Sequence, residues 1–96
     1  MSSRTILIET DAAGNFTYEQ PCFAMVLALK VNLGDLDTPD VTVDDANEEI
    51  TFGQWTGLAS DAFLPEIFTG CSGTLRVTVA NGGDTKHGSI RVLLWG

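Results

Sequence analysis

Between Gly73 and Trp95 the chain alternates twice. Leu75, Val77 and Val79 interleave with Thr74, Arg76 and Thr78; beyond Asn81-Gly82-Gly83-Asp84, Ile90, Val92 and Leu94 interleave with Ser89, Arg91 and Leu93. Successive strand residues point to opposite faces, so apolar residues at every second position describe a strand with one buried side. Asn-Gly and Gly-Gly accept the positive φ values that reverse a chain between strands. The pattern therefore predicts a C-terminal β-hairpin. Similar but shorter alternations earlier in the chain extend the prediction to an all-β domain.

The remaining strands follow from the same reasoning. Arg4–Glu9 reads as a strand with Ile6 and Ile8 on one face, and Asp11–Asn15 as a turn. Phe16–Glu19 reads as a short second strand, punctuated by Pro21. In Cys22–Leu33 the odd positions Phe23, Met25, Leu27, Leu29, Val31 and Leu33 are all large and apolar. That period outweighs the helix propensity of Ala, Leu and Met, and predicts a long central strand burying its odd side. Gly34–Asp40 is a loop. Val41–Asp44 and Ile50–Phe52 read as strands around a turn, with Val41, Val43, Ile50 and Phe52 inward. Gly53–Gly70 alternates poorly; it suggests a short strand near Trp55 and a helical turn capped by Ser60 or Asp61, ended by Pro65. Six to eight strands in one 96-residue domain fit a small antiparallel β-sandwich or jelly-roll-like barrel.

Composition narrows the partners. Five basic residues stand against thirteen acids, for a formal charge of −8, and none of the five forms a run. Phosphate contacts are made mainly by Lys and Arg, so neither nucleic acid nor an anionic membrane is an expected partner. The apolar stretches Thr5–Ile8 and Cys22–Leu29 are too short for a signal-peptide core or a bilayer span, which leads to an expectation of synthesis in the cytoplasm. In a reducing compartment Cys22 and Cys71 read as free, buried, small hydrophobes; a disulfide would require their strands to lie side by side.

No catalytic grammar accompanies the strands. Gly70-Cys71-Ser72-Gly73 lacks the Gly-x-Ser-x-Gly order of a nucleophile elbow, and the residues after it read as a strand rather than a helix. His87, the only histidine, is placed away from Cys71 by the predicted hairpin. Asp35, Asp37, Asp40, Asp44, Asp45, Glu48 and Glu49 crowd one region. They lack the alternating ligands and central glycine of a calcium loop and read as a solvated hairpin tip that also discourages edge pairing. The expectation is a protein with no catalytic residues, cofactor or metal. What remains are apolar side chains without an obvious core slot: Trp55, Phe63, Leu64, Ile67 and Phe68 in the irregular segment, and Leu93 and Trp95 on the outer side of the last strand. Exposed aromatic groups of this kind mark interfaces; the equal alternative is that the irregular segment folds over one open end of the sandwich and completes the core.

The run Gly73-Thr74-Leu75-Arg76-Val77-Thr78-Val79-Ala80-Asn81-Gly82-Gly83-Asp84-Thr85-Lys86-His87-Gly88-Ser89-Ile90-Arg91-Val92 resembles the closing hairpin of small β-sandwich proteins from the structural gene modules of tailed bacteriophages. The opening Ile8-Glu9-Thr10-Asp11-Ala12-Ala13-Gly14-Asn15 is similar in style. Together they cover about a third of the chain and contain no functional residues to transfer. The resemblance implies a virion accessory role, such as a capsid decoration (cement) protein or a head–tail or tail component. It further implies capsid or tail proteins as partners, residence in the virion, and a cyclic homo-oligomer such as a trimer. The alternative from the residues alone is a carbohydrate- or ligand-binding β-sandwich, with Trp55 as a stacking platform and the acids of 35–49 holding calcium or sugar hydroxyls.

Overall fold

A computed structural model describes all 96 residues. It is all-β: β1 (Ser2–Glu9), β2 (Phe16–Asn32), β3 (Asp40–Asp45), β4 (Ile50–Trp55), β5 (Ala62–Leu64), β6 (Thr69–Ala80) and β7 (His87–Trp95). Every pairing is antiparallel, in the order β1-β7-β2-β6-β3-β4, with β5 added to β2.

β2 organises the molecule. Its first part, Phe16–Val26, pairs with β6; its second, Met25–Asn32, pairs with β7 on the other edge, and Leu29–Val31 also carry β5. One sheet thus becomes two halves, β1-β7-β2-β5 and β2-β6-β3-β4. Their inner faces share one hydrophobic cluster: Ile6, Ile8, Ile90, Val92 and Leu94 from the first half, Val41, Val43, Phe52, Leu75, Val77 and Val79 from the second. The result is a small sandwich-like fold. Turn residues join its loops at one end, where the buried Thr10 hydroxyl donates to the Gly83 carbonyl (2.6 Å) and accepts from the Lys86 amide (2.8 Å).

The C-terminal strands exist, but they are not a hairpin. β6 and β7 lie on opposite edges of β2, and β7 pairs with β1 and β2. The turn chemistry of Asn81–Asp84 reverses the chain; it does not dictate that the flanking strands bond to each other. Both strands need a partner for a buried face, and β2 supplies two edges.

Pro21 does not interrupt β2 either. It faces Thr74, whose amide and carbonyl both point away from β2: the N–H donates to Asp45 Oδ1 (3.2 Å) and the carbonyl accepts from Ala46 N–H (2.9 Å). Pro21 and Thr74 are therefore a non-hydrogen-bonded pair. The N–H that proline lacks falls on the open edge of β2, where no ladder bond is lost.

The face of β2 changes along its length. Cys22 and Val26 are buried before the bulge, while Leu29 and Val31 are buried after it. The switch occurs between Val26, opposite Leu94, and Ala28, opposite Leu93: Leu27 is an extra residue with no partner on β7. A bulge shifts the alternation by one. The odd-side expectation therefore holds for Leu29 and Val31 and fails for Phe23 and Met25, which are 77% and 41% exposed. Phe23→Ser is expected to change stability by no more than about 0.5 kcal/mol, as for an ordinary surface site. Val26→Ser, at a site with 0% exposure, should cost several-fold more in urea denaturation.

Two smaller corrections follow, the first of the same origin. Phe52 is the extra residue of a bulge on β4, since Val43 opposes Gly53 and Asp44 opposes Thr51, and Ile50 beyond it is exposed rather than inward. No helical turn forms after Ser60. Asp61 accepts the Leu33 N–H at 2.9 Å, anchoring the approach to β5 beside the end of β2.

Candidate contact face

The register of the first half sets its outer side chains in rows. One row runs Thr5, Arg91, Lys30, Phe63 across β1, β7, β2 and β5. The next runs Ser3, Leu93, Ala28, and a third pairs Trp95 with Met25; Phe23 follows two residues along β2. Phe63, Trp95 and Phe23 are each more than 60% exposed. Trp95 and Met25 line a common recess, and Leu93, Phe63 and Pro65 wall a groove of about 420 Å³ beside Lys30 and Arg91. These rows contain no carboxylate.

The outer side of the other half is different. Thr17, Thr78, Thr42 and Gln54 form one row, and Glu19, Arg76 and Asp44 another. Arg76 makes a bidentate pair with Asp44, Nε to Oδ1 at 3.0 Å and Nη2 to Oδ2 at 2.6 Å. That hydrogen bond and charge raise the guanidinium pKa. A polar face with internally paired charges gains little by contact with another protein. An apolar face with two cations gains more, because large exposed apolar patches are uncommon on soluble proteins without a role.

Of the side chains expected at an interface, the fold brings Phe63, Leu93 and Trp95 onto this one face. Phe68 is exposed in the link between β5 and β6, with a left-handed backbone (φ 50). Trp55, Leu64 and Ile67 are half-buried against the core instead. A Cβ on Gly53 would come within 2.8 Å of Trp55 and 3.0 Å of Leu64, so the absence of a side chain there seats the indole. Sequence reasoning missed Phe23 and Met25, assigned to the core by their odd parity, and Lys30 and Arg91, read only as scattered charges. Cys22, Ala24 and Val26 on the even side were the available signal: both sides of Cys22–Leu29 are largely apolar, as in a strand that changes faces.

The acidic region is occupied by structural bonds. Asp35 accepts the His87 N–H, which is the main reason that its pKa falls below the ordinary value. Asp40 accepts from Gly57 N–H and Asn81 Nδ2, both at 2.8 Å. Asp44 holds Arg76. Asp45, 0% exposed, accepts backbone N–H groups from Ser72 (3.0 Å), Thr74 (3.2 Å), Asn47 (3.1 Å) and Glu48 (3.4 Å). No group of three or more His, Cys, Asp or Glu side chains is placed to hold a metal ion.

Cys71 and His87 are not brought together. Cys71 lies beside Ala24, near the Trp95 end of β7, whereas His87 begins that strand and pairs with Glu9 at 2.9 Å. Both cysteines are free and buried. Burial pushes the Cys71 thiol up to about 12, so it remains protonated and a poor nucleophile at neutral pH. No protein family and no curated protein matches this chain.

Proposed function

We propose that this protein is a non-enzymatic structural component of a tailed-phage virion, a capsid decoration or related accessory protein. It docks on an assembled protein lattice through the outer face of β1, β7, β2 and β5. The observation that carries the docking part is the contrast between the two outer faces. Phe23, Met25, Phe63, Leu93 and Trp95 converge on one, while the other is a lane of Thr, Gln and paired charges. The virion part rests on the resemblance of residues 8–15 and 73–92, which also implies a cyclic homo-oligomer. Apolar burial would contribute about 25 cal/mol per Å² before the cost of association.

The carbohydrate-binding alternative draws less support. Its platform, Trp55, is half-buried over Gly53, and Asp35, Asp40, Asp44 and Asp45 already hold protein donors. Co-sedimentation with assembled tailed-phage capsid shells tests the proposal. Wild-type protein should pellet with shells, and Trp95→Ala, which removes an exposed anchor, should weaken binding by about 2 kcal/mol without loss of folding. Wild-type protein that stays in the supernatant overturns the reading.

A further inference from the structure

We infer that the Lys30–Arg91 groove receives a carboxylate carried on an apolar segment of the protein partner; this rests on the docking reading above and names the chemistry of its centre. Lys30 and Arg91 stand directly opposite one another on adjacent strands. Like charges so placed repel, and nothing in the fold relieves them. The ion pairs of the chain are Arg76–Asp44 and His87–Glu9, so neither Lys30 nor Arg91 has a carboxylate within reach. In a chain with thirteen acids and five basic residues, two unpaired cations form a local reversal of the overall charge: the rows around them hold no acid, and Glu9, farther along the outer side of β1, is taken by His87. Phe63, Pro65 and Leu93 wall the groove around them. An apolar segment laid against these walls would exclude water and strengthen a charge-assisted hydrogen bond, and a guanidinium can bind a carboxylate with two parallel bonds.

The charge pattern selects the occupant. A second copy presenting the same face would set Lys30 and Arg91 against themselves. A polyanion such as nucleic acid or an anionic bilayer would meet two cations on a body of net charge −8. An acidic side chain, or a terminal carboxylate, flanked by apolar residues satisfies both the cations and the walls.

Two experiments separate this inference from the reading beneath it. In the first, the amide resonances of the isotopically labelled full chain are followed while 3-phenylpropionate is added, with 3-phenylpropanol as the neutral counterpart. Shifts are expected at Lys30, Phe63, Arg91 and Leu93, saturating at least about fivefold earlier for the acid. They should vanish in the Lys30→Met/Arg91→Met variant, which should melt at the same temperature as the wild type or higher because repulsion is removed. Equal response to acid and alcohol, or shifts centred elsewhere, overturns the inference. In the second, Lys30→Glu/Arg91→Glu should lower shell binding by at least about tenfold. Undiminished binding by that folded variant overturns the inference and leaves docking intact. Failure of the wild type to bind shells overturns docking, and the titration still decides whether the groove takes a carboxylate.

Discussion

Deleting Leu27 is expected to abolish cooperative folding, whereas Leu27→Ala should leave the fold in place. Leu27 is the unpaired residue that lets β2 bury Cys22 and Val26 on one side of the bulge and Leu29 and Val31 on the other. Without it, one set of side chains must turn outward. If the second part of β2 slips, Leu29 and Val31 are exposed and Lys30 turns toward the core. Each displaced aliphatic costs about 1.5–3 kcal/mol, and burial of an unpaired charge adds several more. That approaches or exceeds the 5–15 kcal/mol by which a typical domain is stable. Leu27→Ala keeps the residue count and loses only side-chain packing, about 2–5 kcal/mol. Thermal melts followed by near-ultraviolet circular dichroism distinguish the two: a sigmoidal transition at lower temperature for the substitution, none for the deletion. A deletion variant with wild-type cooperativity would show that the face change is not set by this residue.

The second large effect is expected at Asp45. β6 extends beyond the end of β3, so the Ser72 and Thr74 amides on that edge have no strand to donate to. The Asp45 carboxylate takes the place of the missing carbonyls and also accepts the Asn47 and Glu48 amides of its own turn. Gly73 permits the approach; a Cβ there would lie 2.6 Å from Asn47 Cβ. Asp45→Ala leaves these donors without their acceptor in a closed site and should cost about 3 kcal/mol or more. Asp45→Asn keeps one oxygen but turns an NH2 toward a backbone donor, and should cost less than Ala. Burial alone would push the Asp45 pKa up. The four backbone donors outweigh it and hold the pKa below the ordinary value of 3.8. A depressed folded pKa means that the unfolded chain binds the proton first. The stabilisation is therefore complete above about pH 4 and is lost as pH falls through the lower folded value. Urea midpoints measured from pH 6 to pH 2 should show an acid loss in the wild type that is smaller in Asp45→Asn. Equal slopes in the two proteins would assign the acid loss to other carboxylates.

These two sites also show what could be read from the residues. Alternation at Ile6/Ile8, Leu75/Val77/Val79 and Ile90/Val92/Leu94 identified strands and their buried sides, because a regular strand carries its period in its own sequence. Pairing was less legible. Thr78 faces both Thr17 and Thr42, and nothing local announces either partner. The expected C-terminal hairpin failed for this reason: turn residues report backbone dihedrals, not which strands share a ladder. Bulges were least legible. Leu27 and Phe52 look like their neighbours, yet each shifts the faces beyond it. For the contact face, Phe63, Leu93 and Trp95 were recognisable as apolar groups without a core position. Phe23 and Met25 became visible only once the bulge was placed, and the Lys30–Arg91 opposition only once the register was known. Trp55, Leu64 and Ile67 belong to the same apolar inventory, but the fold uses them to close the core.

The most direct test of the contact face is a residue-resolved carbene footprint of the protein, free and bound to assembled shells. Protection is expected at Phe23, Met25, Phe63, Leu93 and Trp95, with Thr17, Thr42 and Gln54 labelled equally in both states. Protection centred on the threonine lane, with Trp95 and Phe23 as reactive in the complex as in the free protein, would contradict it.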